Sequence, residues 1–282
     1  MEIRHKFEEL ARRREGAFMA HIYYGDPNPQ FSNELAKTLV RSGADFLEIG
    51  IPFTDPTADG PTFTSACERA LKAGTTPKSC IEGIKRLRSE GVDVPIVITT
   101  YYNIPFSWGI GNFFDALGEA KANGVIIPDL PYEEAGYFIA CGRKRGIDVI
   151  LQVSPTTNEE RLKKIVGASS GFIYLISVEG VTGARESLHE TTTKMIQRVK
   201  RITDLPLMVG FGISTKDQAA QVISTGGDGV VVGSAIAKIY EKNLGNPFET
   251  LNEISDFVTE IKKGCVEGFA RRLNLFSSEK SG

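Results

Sequence analysis

Two carboxylates in the first quarter of the chain are spaced so that they could work together in acid–base chemistry. Glu48 lies at the end of a short apolar strand predicted over 46–49, and side-chain alternation places it on the same face as Phe46. The next twelve residues hold three prolines and two glycines, which predicts a stiff loop carrying Asp59. Because a carboxylate on an apolar strand is costly to bury, we predict that this strand ends at a cavity. The alternative is a salt-bridged glutamate followed by turn-forming aspartates.

Composition and charge exclude several classes of function. The formal net charge is −2, from 33 basic and 35 acidic residues, which gives no reason to expect nucleic acid or an anionic membrane as a partner. No apolar run approaches the roughly 20 residues that a membrane-spanning helix needs. The N-terminus is charged and amphipathic and has no apolar signal core. We therefore expect a cytoplasmic protein.

Cysteine and histidine spacing predicts no metal site. The four cysteines are scattered without a CxxC pair, which favours reduced, buried thiols over disulfides or zinc ligands. The three histidines are far apart, and none lies in a metal-binding spacing. His21 follows an apolar strand and could line a cavity. The interpretation that we favour for it is a hydrogen-bonded core histidine.

The elements that must position Glu48 and Asp59 alternate regularly along the chain. Eight short apolar strands each lead to a helix, which indicates a parallel sheet covered by helices. The predicted strands are 17–24, 46–49, 94–100, 124–127, 148–153, 172–176, 207–209 and 229–232. Eight such units in a chain of 282 residues predict a single (β/α)8 TIM barrel with additional N- and C-terminal helices. We expect one domain over 1–282, with 277–282 as a frayed tail. A doubly wound sheet is less suitable, because no GxGxxG follows the first strand.

Polar and glycine-rich clusters follow five of the predicted strands and would share the functional rim of such a barrel. After the last two strands, Gly212 and Gly233 allow close backbone approach to a ligand, and Ser234 begins a helix whose N-terminus attracts anions. These features predict a phosphate site; the alternative is a pair of tight turns that happen to use glycine. A glycine at each end of 180–183 is typical of a closing lid. Tyr174 points inward, as a pocket wall or as core.

Five segments together resemble the α subunit of tryptophan synthase. They are LEIGIPFTDPTADGP, PDLPYEE, SVEGVTG, GFGIS and VVGSAIAK, in the order and spacing of that family over nearly the whole chain. The resemblance implies a lyase that cleaves indole-3-glycerol phosphate to indole and glyceraldehyde 3-phosphate, without a metal or cofactor of its own. It also implies an α2β2 heterotetramer in which indole passes to a β subunit that carries pyridoxal phosphate.

The resemblance implies roles for individual positions. It gives Glu48 the role of acid and base, and Asp59 that of the second catalytic carboxylate assisting at the indole N–H. It implies that a third group of residues binds the substrate: Tyr174, Gly183, Phe211, Gly212, Gly233, Ser234 and Asp129. It places Pro52 and Asp55 on the loop that faces the β subunit.

Several positions depart from the family pattern. The segment from Ala20 to Tyr23 replaces a more usual proline–aromatic–aliphatic–threonine run on the first strand. Thr54 stands where serine is common, Phe63-Thr64 replaces a frequent Ile-Gln, and Val178 stands where arginine is often seen. Because the first strand floors the pocket, these departures bear on substrate fit and on turnover without a partner.

Two other hypotheses stay open at this point. One is a stand-alone indole-3-glycerol-phosphate lyase, or another phosphate-sugar lyase or isomerase on the same barrel. The other is a non-catalytic activator that has kept only a partner surface through Pro52 and Asp55. Retention of both Glu48 and Asp59 argues against the activator.

Overall fold

A parallel β-barrel surrounded by helices forms the core of the chain. The computed structural model describes residues 2–176, 190–210 and 212–279. Nine parallel strands are present in these residues: β1 Ala17–Tyr23, β2 Phe46–Gly50, β3 Ile96–Thr99, β4 Gly124–Ile126, β5 Asp148–Ile150, β6 Gln152–Val153, β7 Ile173–Ile176, β8 Leu207–Gly210 and β9 Gly229–Val232. Their order in the sheet is β5-β4-β3-β2-β1-β9-β8-β7-β6.

The sheet closes into a cylinder at Leu151. This residue alone separates β5 from β6, which stand at the two ends of the strand order. Its carbonyl accepts a hydrogen bond from the backbone N–H of Tyr174 at 3.2 Å, so the pairing continues across the interruption. The predicted strand 148–153 is therefore β5 and β6 together, and nine segments fill eight barrel positions. The predicted (β/α)8 TIM barrel is confirmed.

Twelve α-helices and two 3₁₀ helices lie in the described part of the chain. They are α1 Ile3–Arg13, α2 Pro29–Arg41, α3 Pro61–Lys72, α4 Pro77–Ser89, α5 Asn103–Trp108, α6 Ile110–Glu119, α7 Gly136–Lys144, α8 Glu159–Ala168, α9 Glu190–Lys200, α10 Lys216–Thr225, α11 Ser234–Tyr240, η1 Glu241–Asn243, η2 Pro247–Thr250 and α12 Leu251–Glu279. The predicted terminal helices are α1 and α12, and α12 takes in the first three residues of the segment predicted to fray. None of these helices combines the length and the apolarity that crossing a bilayer requires.

Helix α1 closes the N-terminal end of the barrel. Its Phe7 ring lies 4.9 Å from the ring of Phe46 and 6.1 Å from that of Phe172, at the beginnings of β2 and β7. Ile3 and Leu10 of the same helix are buried in the barrel interior. The C-terminal ends of the strands are thus left as the face at which a ligand can enter.

Alternation along β2 decides which side chains enter the barrel. Phe46 packs in the interior cluster, whereas Leu47 and Ile49 pack outward against the surrounding helices. Glu48 shares the inward face with Phe46, as predicted from the sequence, and lies two residues before the end of the strand.

A buried ion pair joins α12 to the base of the barrel. Lys262 Nζ lies 2.8 Å from Asp45 Oδ2, with little of either side chain exposed. The same carboxylate oxygen accepts the backbone N–H of Phe18 on β1 at 2.9 Å. The Asp45 carboxylate, directly before β2, therefore connects α12 with β1.

Replacing Lys262 with methionine is expected to lower the free energy of unfolding by about 3 kcal/mol, because it leaves Asp45 buried without its cation. Urea denaturation of the two proteins measures this difference. The matched control is Lys263→Met on the same helix, whose partner Glu260 is exposed; it should change stability by less than about 1 kcal/mol. Equal effects of the two substitutions would contradict a structural role for the buried pair.

Candidate active site

Glu48 is buried in the barrel interior with one carboxyl oxygen engaged and the other unpaired. Oε1 accepts a hydrogen bond at 2.5 Å from Oγ1 of Thr99, the last residue of the neighbouring strand β3. Oε2 is buried and has no hydrogen-bond partner among the residues described. Burial raises the pKa of Glu48 to about 8, the Thr99 hydrogen bond opposes this rise, and the negative charge of Asp59 adds to it. Glu48 is therefore largely protonated at neutral pH and can act as an acid.

His21 is the direct strand partner of Glu48. The two residues face each other in the register of β1 and β2, and Nδ1 of His21 lies 3.6 Å from Oε1 of Glu48. Burial lowers the pKa of His21 to about 3, so the imidazole is neutral near pH 7 and the contact is not an ion pair. Nε2 is buried with no partner in the described residues. The favoured interpretation of His21 as a hydrogen-bonded core residue is therefore wrong.

Asp59 is held by two phenols. Its Oδ2 atom accepts a hydrogen bond from Tyr23 Oη at 2.6 Å and another from Tyr101 Oη at 2.7 Å. The Tyr101 hydroxyl in turn accepts the backbone N–H of Ala58 at 3.0 Å, which fixes the loop on which Asp59 lies. Burial raises the pKa of Asp59, and the two phenolic hydrogen bonds oppose that rise. Both donors use one oxygen, which leaves Oδ1 for another partner.

Aromatic rings line the cavity, and glycines on the inward strand face make room for them. The ring of Tyr23 covers Gly50, where an added Cβ would stand 2.6 Å from it. Tyr174 covers Gly210 in the same way, at 2.8 Å from its hydroxyl. Tyr174 itself is buried and points inward, and burial together with the charges of Glu48 and Asp59 raises its pKa.

The predicted phosphate residues lie on one side of the open rim. Gly212 lies two residues beyond β8, with a φ of +57° that favours glycine, and a Cβ there would meet nothing within 4 Å. Gly233 follows β9 directly, and Ser234 begins α11. Strands β8 and β9 pair side by side, so these positions share one edge of the barrel mouth. Gly183 and Phe211 lie outside the described residues.

Packing also requires glycine at position 233. A Cβ at Gly233 would stand 2.4 Å from the ring of Phe63, the residue at which α3 enters the pocket. Phe63 also packs on the imidazole of His21, with ring centroids 4.5 Å apart. The predicted phosphate glycine therefore has a second, structural reason for its identity.

The remaining predicted positions lie on the outer rim. Asp129 is exposed, and its Oδ1 accepts the backbone N–H of Tyr102 at 2.8 Å, which joins the loops after β3 and β4. Asp55 is exposed and accepts the hydroxyl of Thr54 at 2.6 Å. Pro52 is buried within the chain, so of the two residues predicted to face a partner only Asp55 presents surface.

A buried carboxylate fixes the elements that flank the cavity. Asp26, in the turn after β1, accepts hydrogen bonds from Arg69 Nε at 2.6 Å and from Arg69 Nη2 at 2.8 Å. It also accepts one from Tyr240 Oη at 2.6 Å. Arg69 belongs to α3 and Tyr240 to α11, the helices that follow the Asp59 loop and Gly233. The position of both helices is therefore set by one network.

A second groove lies at the opposite end of the barrel. It has a volume of about 870 Å³ and lies between α1 and the segment that precedes β8. Its charged side chains include Arg4, which is paired with Glu8, and Lys200, which is paired with Asp228. Functional sites of this fold lie at the other face, and Glu48 and Asp59 are there. We assign no function to this groove.

The raised pKa of Glu48 gives a prediction about stability. Between pH 5 and pH 7 the folded chain binds more protons at Glu48 than the unfolded chain does, so the contribution of Glu48 to stability falls as the pH rises through this range. Glu48→Gln removes this dependence. The free energy of unfolding of the variant minus that of the wild type should rise by about 2 kcal/mol from pH 5 to pH 7. Urea denaturation at both pH values measures it; a constant difference would contradict a raised pKa.

Four residues that surround the two carboxylates are not among the predicted site residues. They are His21, Tyr23, Thr99 and Tyr101. The period-2 alternation of β1 offers one signal, because it places His21 and Tyr23 on the same inward face as Met19. For Thr99 and Tyr101 the signal is only their position at the end of a strand.

Comparison with known proteins gives a consistent result. A family model described as "Tryptophan synthase alpha chain" matches residues 7–266. A tryptophan synthase alpha chain of Methanosarcina acetivorans is 43% identical over 266 residues, which are 94% of this chain and 94% of that one. One from Methanocaldococcus jannaschii is 46% identical over 244 residues, 86% of each chain.

Solved structures agree with the sequence comparisons. The crystal structure of tryptophan synthase subunit alpha from Legionella pneumophila superposes with a TM-score of 0.86 at 33% identity, over 94% of this chain and 98% of that one. The likeness extends over nearly the whole of both chains, so it is a likeness of the barrel as a whole.

Proposed function

The chain belongs to the tryptophan synthase alpha chain family, lyases that cleave indole-3-glycerol phosphate, and we propose that Glu48 and Asp59 carry out this cleavage here. The observation that carries the proposal is the state of Glu48: a buried carboxyl group, protonated at neutral pH, with a free oxygen in the barrel interior. Protonated carboxylic acids near neutral pH are uncommon and are suited to proton delivery.

In the first step, Glu48 delivers its proton to the indole ring carbon that bears the glycerol chain. Positive charge then develops at the ring nitrogen. Asp59 stabilises this charge through Oδ1, because Tyr23 and Tyr101 already occupy Oδ2. The two phenols also keep the carboxylate in position before the charge appears.

In the second step, the Glu48 carboxylate accepts the proton of the hydroxyl group next to the ring. The carbon–carbon bond breaks as that oxygen forms the aldehyde of glyceraldehyde 3-phosphate, and the bonding electrons return to the ring to give indole. The delivered proton stays on the ring carbon of indole, and Glu48 is protonated again by the hydroxyl proton, so one group serves as acid and then as base. The cycle needs no metal and no cofactor in this chain.

The remaining substrate contacts are part of the same proposal and are supported by the family resemblance. Gly212, Gly233 and Ser234 receive the phosphate, since glycine backbone and a helix N-terminus suit an anion, and the resemblance adds Gly183 to this group. Tyr174 and Phe211 border the indole ring. Asp129 supports the neighbouring loop through its bond to the Tyr102 backbone.

A β subunit is the partner proposed for this chain, in an α2β2 complex. The family name "alpha chain" supports such a partner, and the exposed Asp55 lies on the loop next to Asp59. In this assembly, indole passes to the β subunit, and pyridoxal phosphate belongs to the β subunit alone.

An indole-release assay tests the proposed function. The purified chain receives indole-3-glycerol phosphate, and indole and glyceraldehyde 3-phosphate are measured with and without the β subunit of a relative. Equal amounts of the two products, formed faster with the β subunit, are expected. Full turnover without it favours a stand-alone lyase, and absence of indole under both conditions contradicts the proposal. Stimulation of the β subunit that survives loss of Glu48 and Asp59 would favour the non-catalytic activator.

A further inference from the structure

We propose that His21 is a second hydrogen-bonding residue of the pocket, which orients Glu48 through Nδ1 and accepts a hydroxyl of the substrate's glycerol chain through Nε2. This inference rests on the proposed function. It goes beyond that function because it adds a residue that contacts the substrate and supports the acid–base group.

The geometry brings two residues with unfilled hydrogen-bonding atoms side by side on the inward face of the barrel. His21 and Glu48 are register partners on adjacent parallel strands and share the inward face. Nδ1 of the imidazole lies 3.6 Å from Oε1 of Glu48. Nε2 of His21 and Oε2 of Glu48 are both buried, and neither has a partner within the described ranges. Hydroxyl groups of a ligand, which can both donate and accept, would fill both.

Packing alone does not account for a histidine at this position. The ring lies 4.5 Å from that of Phe63 and 5.4 Å from that of Tyr23, measured between centroids, in surroundings that would suit a phenylalanine. His21 is only 7% exposed, so its unpaired nitrogen has lost water without gaining a partner. Burying a polar atom without a partner is unfavourable. A bound hydroxyl group would supply that partner.

The reaction gives each nitrogen a role. When Glu48 has delivered its proton, a carboxylate stands in a buried site, and the Nδ1–H of neutral His21 can donate to it. In that tautomer Nε2 carries a lone pair and accepts a hydrogen bond from a substrate hydroxyl. Among the described residues, the other ionisable groups around this pocket include Tyr23 on the same strand, Cys67 on α3, Tyr174 on β7, and Asp59 and Tyr101 on loops.

Binding to a chain that does not turn over tests the Nε2 contact. Glu48→Gln and the double variant Glu48→Gln/His21→Phe are titrated with two probes: indole-3-glycerol phosphate, and 3-indolylpropyl phosphate, which lacks both hydroxyls. We expect His21→Phe to weaken binding of the first about 10-fold and to change binding of the second by less than about twofold. Equal effects on both probes, or no effect on either, would overturn the proposal.

Kinetics tests the Nδ1 contact. Without the donor, the carboxylate of Glu48 is less stable, so in His21→Phe the alkaline limb of the pH–rate profile should move to higher pH and kcat should fall about 10-fold. His21→Asn keeps an amide N–H near Nδ1 but has no group at Nε2. It should restore the alkaline limb while KM stays raised. An unchanged limb in His21→Phe would overturn this role.

The binding and kinetic experiments together distinguish failure of this inference from failure of the proposed function. If Glu48→Gln turns over as fast as the wild type, the proposed function is wrong, whatever His21 does. If Glu48→Gln is inactive while His21→Phe behaves as the wild type in both assays, only the inference is wrong. Thermal unfolding of each variant identifies loss of folding, and the hydroxyl-free probe identifies loss of pocket shape.

Discussion

Glu48→Gln is expected to lower turnover of indole-3-glycerol phosphate by about 10²–10⁴ while leaving substrate binding within a few-fold of the wild type. Glutamine keeps the size of the side chain, and its carbonyl oxygen can still accept the hydroxyl of Thr99. It cannot deliver a proton to the ring carbon or take one from the hydroxyl group. Both proton transfers assigned to this residue are lost together, so kcat falls while KM stays within a few-fold of the wild type.

Steady-state kinetics with measurement of released indole checks this prediction. Glu134→Gln is the matched control, because Glu134 lies at the same end of the barrel, after β4, and is exposed. That substitution should leave kcat and KM within about twofold of the wild type, as expected for a surface residue away from the site. Near-normal turnover by Glu48→Gln would remove Glu48 from the mechanism.

The barrel could be predicted from sequence because its signals are local. Alternation along β2 separates Phe46 and Glu48 from Leu47 and Ile49 without knowledge of any other strand. The interruption at Leu151 has no such signal, because an apolar residue is ordinary within a buried strand, and only the pairing across the closing barrel distinguishes it.

The site was predictable in its residue types but not in its contacts. Glu48 and Asp59 stand out because carboxylates are unexpected on an apolar strand and its stiff loop. Their partners come from positions far along the chain: Thr99 lies 51 residues from Glu48, and Tyr101 lies 42 from Asp59. Such contacts depend on which strands are neighbours and in what register. The same limit applies to His21, whose role depends on its pairing with Glu48.

Asp59→Asn is expected to lower kcat by about 10²–10³, with KM changed by only a few-fold. The amide is nearly the same size, and its oxygen can still accept both phenolic hydrogen bonds from Tyr23 and Tyr101. What is lost is the negative charge opposite the ring nitrogen, where positive charge develops after protonation. The bound substrate does not yet carry this positive charge. Loss of the negative charge of Asp59 should therefore lower the rate without weakening substrate binding.

Asp55→Asn is the matched control for this effect. Asp55 lies on the same loop, four residues before Asp59, but it is exposed, and the described hydrogen bond of its side chain is to Thr54. In the isolated chain it should leave kcat within about twofold of the wild type. Stimulation by a β subunit should instead be reduced, because this residue is the one proposed to face the partner. If Asp59→Asn kept its kcat, or lost activity only through a raised KM, charge stabilisation at the indole nitrogen would be contradicted.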